Sequence, residues 1–158
     1  MKKILSICTL LFCIISSGQV KKQTLLKETI GTTNLEYIKS TDIEINKISY
    51  LVYLSFQNQK YSSITDFKII GFYDQESINV LIKDLTGAQK QMLLNEKVSV
   101  KWNKSNYNLD LYDFSPNLYL SSTKGVSGYT TLNSKQVGNL ISNLSKIDFG
   151  KDTLLIKN

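Results

Sequence analysis

The chain contains no histidine and no arginine, one proline (Pro116), and two cysteines, Cys8 and Cys13, both close to its N-terminus. Each absence removes a class of chemistry. Without imidazole there is no Ser-His-Asp triad and no histidine acid–base catalysis, and without histidine or a later cysteine there is no zinc site of the usual donors. Beyond Cys13 the chain has no thiol nucleophile and can close no disulfide. An exported domain of this composition must be held by an apolar core, and about 140 residues suffice to bury one.

Long hydrophobic runs are also missing. The apolar stretch Ile4–Ile15 covers about 12 residues, well short of the roughly 20 that a membrane-spanning helix needs. It follows the positive Met1-Lys2-Lys3 and precedes the small residues Ser16-Ser17-Gly18, so residues 1–18 read as a signal peptide cleaved between Gly18 and Gln19. Lipid attachment at Cys13 fits less well, because Phe12 stands where a lipidation motif wants a small residue. The expected location is therefore the periplasm or the extracellular space, with no stable membrane insertion after cleavage.

All 19 basic residues are lysine. After cleavage, 17 lysines stand against 13 acids, a net charge of +4, and Lys21, Lys22 and Lys27 lie just behind the cleavage point. The rest of the chain is nearly neutral. Forked guanidinium contacts to phosphate and guanine are impossible, so a nucleic-acid partner is not expected.

What is present is mostly strand pattern. Gln19–Lys27 reads as a flexible lead-in, and residues 28–158 read as one α+β domain. Leu35–Ile38 and Ile43-Glu44-Ile45 are short candidate strands, and Ile48–Phe56 is a long one, apolar on both faces and hence central and covered above and below. After a turn at Gln57–Lys60, Phe67–Tyr73 gives another strand. Asp74 is a candidate N-cap for a helix whose stripe is Ile78, Leu81, Ile82 and Leu85, with Gly87 as its end or weak point. Val98, Val100 and Trp102 alternate with polar residues, and Tyr107–Phe114 returns as a hairpin. Leu118–Leu120 and Tyr129–Leu132 flank a glycine-containing loop, Lys124–Gly128, as a further hairpin. Asn133 and Gln136 resemble a capping box before the stripe Val137, Leu140, Ile141, Leu144 and Ile147. The expected fold is α+β: six to eight mainly antiparallel strands and two amphipathic helices, in the order strands, helix, strands, helix. Leu81, Ile82 and Leu85 recur at one constant offset as Leu140, Ile141 and Leu144. This reads as two amphipathic helices matching by chance, because the preceding strands do not align.

Few motifs carry chemistry. Asp110 and Asp113 lie near Tyr107 and Tyr112, but strand alternation turns the two acids to opposite faces, and Asp66 is only a remote second carboxylate for glycoside hydrolysis. No acidic calcium loop and no phosphate-binding glycine loop occurs. Asp152-Thr153-Leu154 matches a short O-glycosylation pattern of some exported proteins, on three residues. The nine tyrosines are the most suggestive feature. Tyr53, Tyr61, Tyr107, Tyr112, Tyr119 and Tyr129 fall on or beside strands, where with Trp102 they serve either as ordinary sheet residues or as an aromatic platform. Trp102, Tyr107, Asp110, Tyr112 and Tyr119 form the candidate ligand-binding set. The leading expectation is a non-catalytic binding module for an envelope or extracellular protein, peptide or glycan, without catalytic residues, metal or cofactor. The alternatives are a carboxylate-dependent glycan-active hydrolase and a structural envelope component. Two acids facing across a cleft favour the hydrolase, an exposed tyrosine patch favours binding, and self-complementary sheet edges favour the structural role.

Overall fold

A computed structural model describes residues 20–61, 66–94, 99–113, 115–124 and 128–155. Residues 1–19, which include the expected cleavage point between Gly18 and Gln19, lie outside the described residues. Eight strands form two antiparallel four-stranded sheets, each a simple meander, and each is followed by a helix. The first sheet comprises β1 (Val20–Ile30), β2 (Thr33–Asp42), β3 (Lys47–Gln57) and β4 (Phe67–Phe72), and leads into α1 (Gln75–Leu94). The second comprises β5 (Val100–Asn103), β6 (Tyr107–Leu111), β7 (Leu118–Ser122) and β8 (Tyr129–Leu132), and leads into α2 (Ser134–Leu144). The α+β class, the antiparallel pairing and the element order are as the sequence pattern implies, with the strands divided between two sheets.

Both helices start where side chains satisfy their first amides. Asp74 Oδ1 accepts from the Ser77 amide at 2.7 Å. Asn133 and Gln136 form a reciprocal capping box. The buried stripe Ile78, Leu81, Leu85 and Ala88 of α1 matches Val137, Leu140, Leu144 and Ile147 at and just beyond α2, at the same offset that separates the two caps. Shared order thus extends beyond the helices to the meanders before them. The strand sequences conceal this because β1–β3 are 10 or 11 residues long and β5–β8 only 4 or 5. The stripes meet Leu35, Tyr37, Val52, Leu54, Ile70 and Phe72 of the first sheet and Leu109, Leu118, Leu120 and Leu132 of the second in one buried cluster.

Four local expectations are corrected. The segment read as a flexible lead-in is most of β1, paired with β2 from Val20↔Asp42 to Ile30↔Thr33. A register shift between Thr24 and Leu26 hides its alternation, and its first five residues are exposed, so no apolar face marks it. Ile43-Glu44-Ile45 is a turn, closed by Asn46 at φ 47°. The long strand β3 is interior to its sheet, yet only one face is covered: Leu51 and Tyr53 are half-buried on the open face, where the Tyr53 hydroxyl donates to Glu36 at 2.6 Å. Gly87 does not interrupt α1, and a Cβ there would meet the Trp102 ring at 3.6 Å, an ordinary van der Waals contact.

The edge of β4 is covered by side chains of the second sheet. Asn106 Nδ2 donates to the Gly71 carbonyl at 3.0 Å and the Ser122 hydroxyl to the Ile69 carbonyl at 3.4 Å. At the other side, the chain after α2 returns to the first sheet. The Tyr37 hydroxyl donates to the Lys151 carbonyl at 2.9 Å and accepts from the Gly150 amide at 3.0 Å. Asp152 accepts from Lys39 at 2.6 Å and from the Tyr50 hydroxyl at 2.8 Å. Among the described residues, no helix is long and apolar enough to cross a membrane.

Candidate functional site

Alternation within the second sheet decides which side chains can act together. On β6, Tyr107, Leu109 and Leu111 point into the core while Asn108 and Asp110 point out; on β7, Tyr119 and Ser121 point out. The register sets Asp110 opposite Tyr119, Tyr119 opposite Thr131, and Ser121 opposite Tyr129. Tyr112, just past the end of β6, completes an aromatic row on this outer face. The Tyr112 and Tyr119 rings meet edge to face, with centroids 5.2 Å apart and planes at 81°, and Tyr119 and Tyr129 follow at 5.4 Å and 53°. Lys101 Nζ lies 5.8 Å from the centroid of the Tyr112 ring and 3.9 Å from Asp110 Oδ1.

These tyrosines, with Asp110, Ser121 and Gly128, line a shallow open depression of about 360 Å³ that Lys60 of the first sheet's 3₁₀ turn completes. The two sheets are joined at this rim by Asn58. Its side-chain oxygen accepts from the amides of Lys60 (3.0 Å) and Tyr129 (3.3 Å), and its amide donates to Asp66 at 2.8 Å. A Cβ at position 128 would collide with the Asn58 side chain, so the close approach requires glycine. One carboxylate, Asp110, is among the lining residues.

Of the five candidate residues, the fold brings Asp110, Tyr112 and Tyr119 together and sends Trp102 and Tyr107 to the opposite face. Trp102, opposite Leu109, packs on the core. Tyr107 is buried and its hydroxyl donates to Asp84 Oδ2 at 2.9 Å. The same oxygen stands 3.4 Å from Lys104 Nζ. Burial first, and the neighbouring Asp84 carboxylate second, push the Tyr107 phenol above its ordinary range. Asp84 is a buried acid that the sequence reading missed, although its place between Leu81 and Leu85 on the apolar stripe marks it.

Asp113 is an exposed turn residue. Asp66 is engaged by Asn58 and, at 3.0 Å, by Lys68, and these hydrogen bonds, Asn58's first, hold its carboxyl below the usual carboxylate range. Tyr53 belongs to the first sheet, and the Tyr61 side chain lies outside the described residues. So do residues 125–127 of the glycine loop. Asp152 of the three-residue glycosylation match is held by Lys39 and Tyr50, and Thr153 beside it is exposed. Tyr129 is one of the platform tyrosines but outside the five-residue candidate set, and Lys60 and Ser121 carry no sequence signal; cross-strand register, and for Lys60 the seating of one sheet on the other, bring all three in. A separate cleft of about 320 Å³ beside the start of α1 is lined by Asp74, Glu76, Ser77, Lys104, Asn106 and Tyr107, with Asp74 committed to capping the helix.

The arrangement defines a small α+β protein with a tyrosine-lined outer sheet face. No family model matches the chain, and no similar curated protein or solved structure was found, so the reading of this face rests on its own residues.

Proposed function

We propose that the protein is an exported, non-catalytic binding module whose contact surface is the outer face of the second sheet. The observation that carries this reading is the row Tyr112, Tyr119 and Tyr129, rings in mutual contact around a depression that also holds Asp110 and Ser121. Tyrosine offers wide, rigid contact area with a polar tip, which suits a surface that must stay wet when empty and bury area when filled. Tilted ring faces accept C–H groups, while the carboxylate and the serine hydroxyl accept and donate hydrogen bonds. That combination matches a ligand with apolar C–H faces and flanking hydroxyl or amide donors, the chemistry common to a sugar ring and an extended peptide.

The hydrolase alternative asks for two carboxyl groups at a set separation, and among the described residues that line this depression Asp110 is the one acid. The test is a glycan array and a parallel array of extended peptides probed with the mature chain, repeated with Tyr119→Ala and Tyr129→Ala. Binding on either array that falls at least about tenfold in both variants is the expected result. Ligands bound equally by wild type and variants, or turnover of a bound glycan, would sink the reading.

A further inference from the structure

We propose that the distal tip of the first sheet is a peripheral anchor that seats on an anionic lipid surface. β1, β2 and β3 run past the core they cover. The last fully buried row holds Tyr37 and Val52. The next holds Lys39 and Tyr50, occupied by Asp152, and beyond it these strands contribute none of the described core residues. The three strands end together in the row Val20, Asp42 and Lys47, and residues 43–46 make the turn.

Apolar side chains crowd this end: Ile43 is 55% exposed, Ile45 67%, and Val20 and Ile48 50% each. The turn does not need them. Asp42 Oδ1 accepts from the amides of Glu44 and Ile45, and Asn46 takes the positive φ, so its geometry is built by the polar residues. Nor does the core need them, since none belongs to it. Three isoleucines and a valine at the far end of a projecting ribbon serve neither local structure nor packing, and their natural complement is an apolar medium met end-on.

The charges select the occupant. Lys21, Lys22 and Lys47 ring the tip, against Asp42, whose carboxylate is turned onto the turn amides, and Glu44. Isoleucines projecting beyond lysines are the arrangement that dips into the headgroup region while the ammonium groups meet anionic lipid. A second copy docked tip to tip would bring the lysines against their own kind. The inference stands apart from the tyrosine surface, but the two are related in space. β3 leads from the tip to the 3₁₀ turn that carries Lys60, and its 11 residues span roughly 35 Å, so an anchored molecule holds the depression clear of the lipid.

Vesicle flotation of the mature chain tests this, with phosphatidylcholine alone and mixed with phosphatidylglycerol. The expected result is binding to the mixed vesicles that weakens with salt. It falls at least about tenfold in the Ile43→Ser, Ile45→Ser double variant and also in Lys21→Gln, Lys22→Gln. Because these positions lie outside the core, both variants should melt at the wild-type temperature, which separates lost contact from lost fold. No flotation by the wild type, or flotation of the isoleucine variant equal to wild type, overturns the proposal. So does sedimentation showing a dimer of the free protein that the isoleucine variant abolishes.

Discussion

Asn58 and Tyr107 show how much of this molecule hangs on single polar side chains in buried places. Asn58 is fully buried, and its hydrogen bonds to Lys60, Asp66 and Tyr129 include backbone amides beside both sheets. Asn58→Ala strands the amides of Lys60 and Tyr129 and leaves Asp66 Oδ2 with Lys68 in place of two donors, and should destabilise by roughly 3 kcal/mol in urea unfolding. It should also loosen the rim of the tyrosine depression, so any ligand found there is bound more weakly. Tyr107→Phe removes the hydroxyl that Asp84 accepts while Lys104 remains beside the carboxylate. A loss of about 1–3 kcal/mol is expected, and the Asp84→Asn, Tyr107→Phe double variant should lose less than the sum of the single changes. Alternation places Tyr107 and Asp110 on opposite faces, and that much was legible in the chain. The buried face was legible too, since Leu109 and Leu111 share the side of Tyr107 while Asn108 shares that of Asp110.

At the level of elements, the helices were the most legible parts and β1 the least. A capping residue followed by a stripe at helical spacing is a local signal complete within one segment, as Asn133 to Leu144 shows. β1 lacks such a signal because the shift at Leu25 sets two leucines side by side and its first half covers nothing. Its turn to β2 is a two-residue loop with Gly31 at φ 62°, where a Cβ would strike the amide of Gln136, the side chain that completes the cap of α2. Gly31→Ala therefore strains the loop and displaces the cap, and should lower stability by roughly 2 kcal/mol, read from the urea midpoint. The segment after α2 is held by Asp152. Its carboxyl lies below the ordinary carboxylate range, through the Lys39 hydrogen bond first and Tyr50 second. A depressed folded-state value means stabilisation that is present above about pH 4 and lost as pH falls through it. Amide protection factors at Gly150 and Lys151, taken against the intrinsic exchange rate at each pH, should fall in acid well before global unfolding, and in Asp152→Asn they should be low already at neutral pH.

For the whole molecule, alkaline pH is the telling variable. Burial and the Glu36 hydrogen bond raise Tyr53 from 10.0 to about 12, and Tyr107 is raised further in the same direction. Both phenols are more basic in the folded state, so the folded chain holds protons that the unfolded chain releases. Their contribution is fully present below about pH 10 and declines as pH rises through 12. Thermal melts across that range should show a steep fall, shallower in Tyr53→Phe, whose phenol no longer titrates. A melt unchanged between pH 9 and 12 would count against the packing described for these two rings.

The helices, the antiparallel character and the α+β order were legible in the chain, because caps, turns and hydrophobic period act over a few residues and need no partner to be read. The sequence also excluded imidazole chemistry by composition alone. Only the tertiary structure decided that the strands form two sheets, that β3 has an open face, and that Tyr129, Ser121 and Lys60 join Asp110, Tyr112 and Tyr119. Those facts depend on cross-strand register and on the seating of one sheet against the other at Asn58. Contacts of that kind form between residues as far as 98 positions apart in the chain, as between Thr32 and Thr130, and no local pattern encodes them.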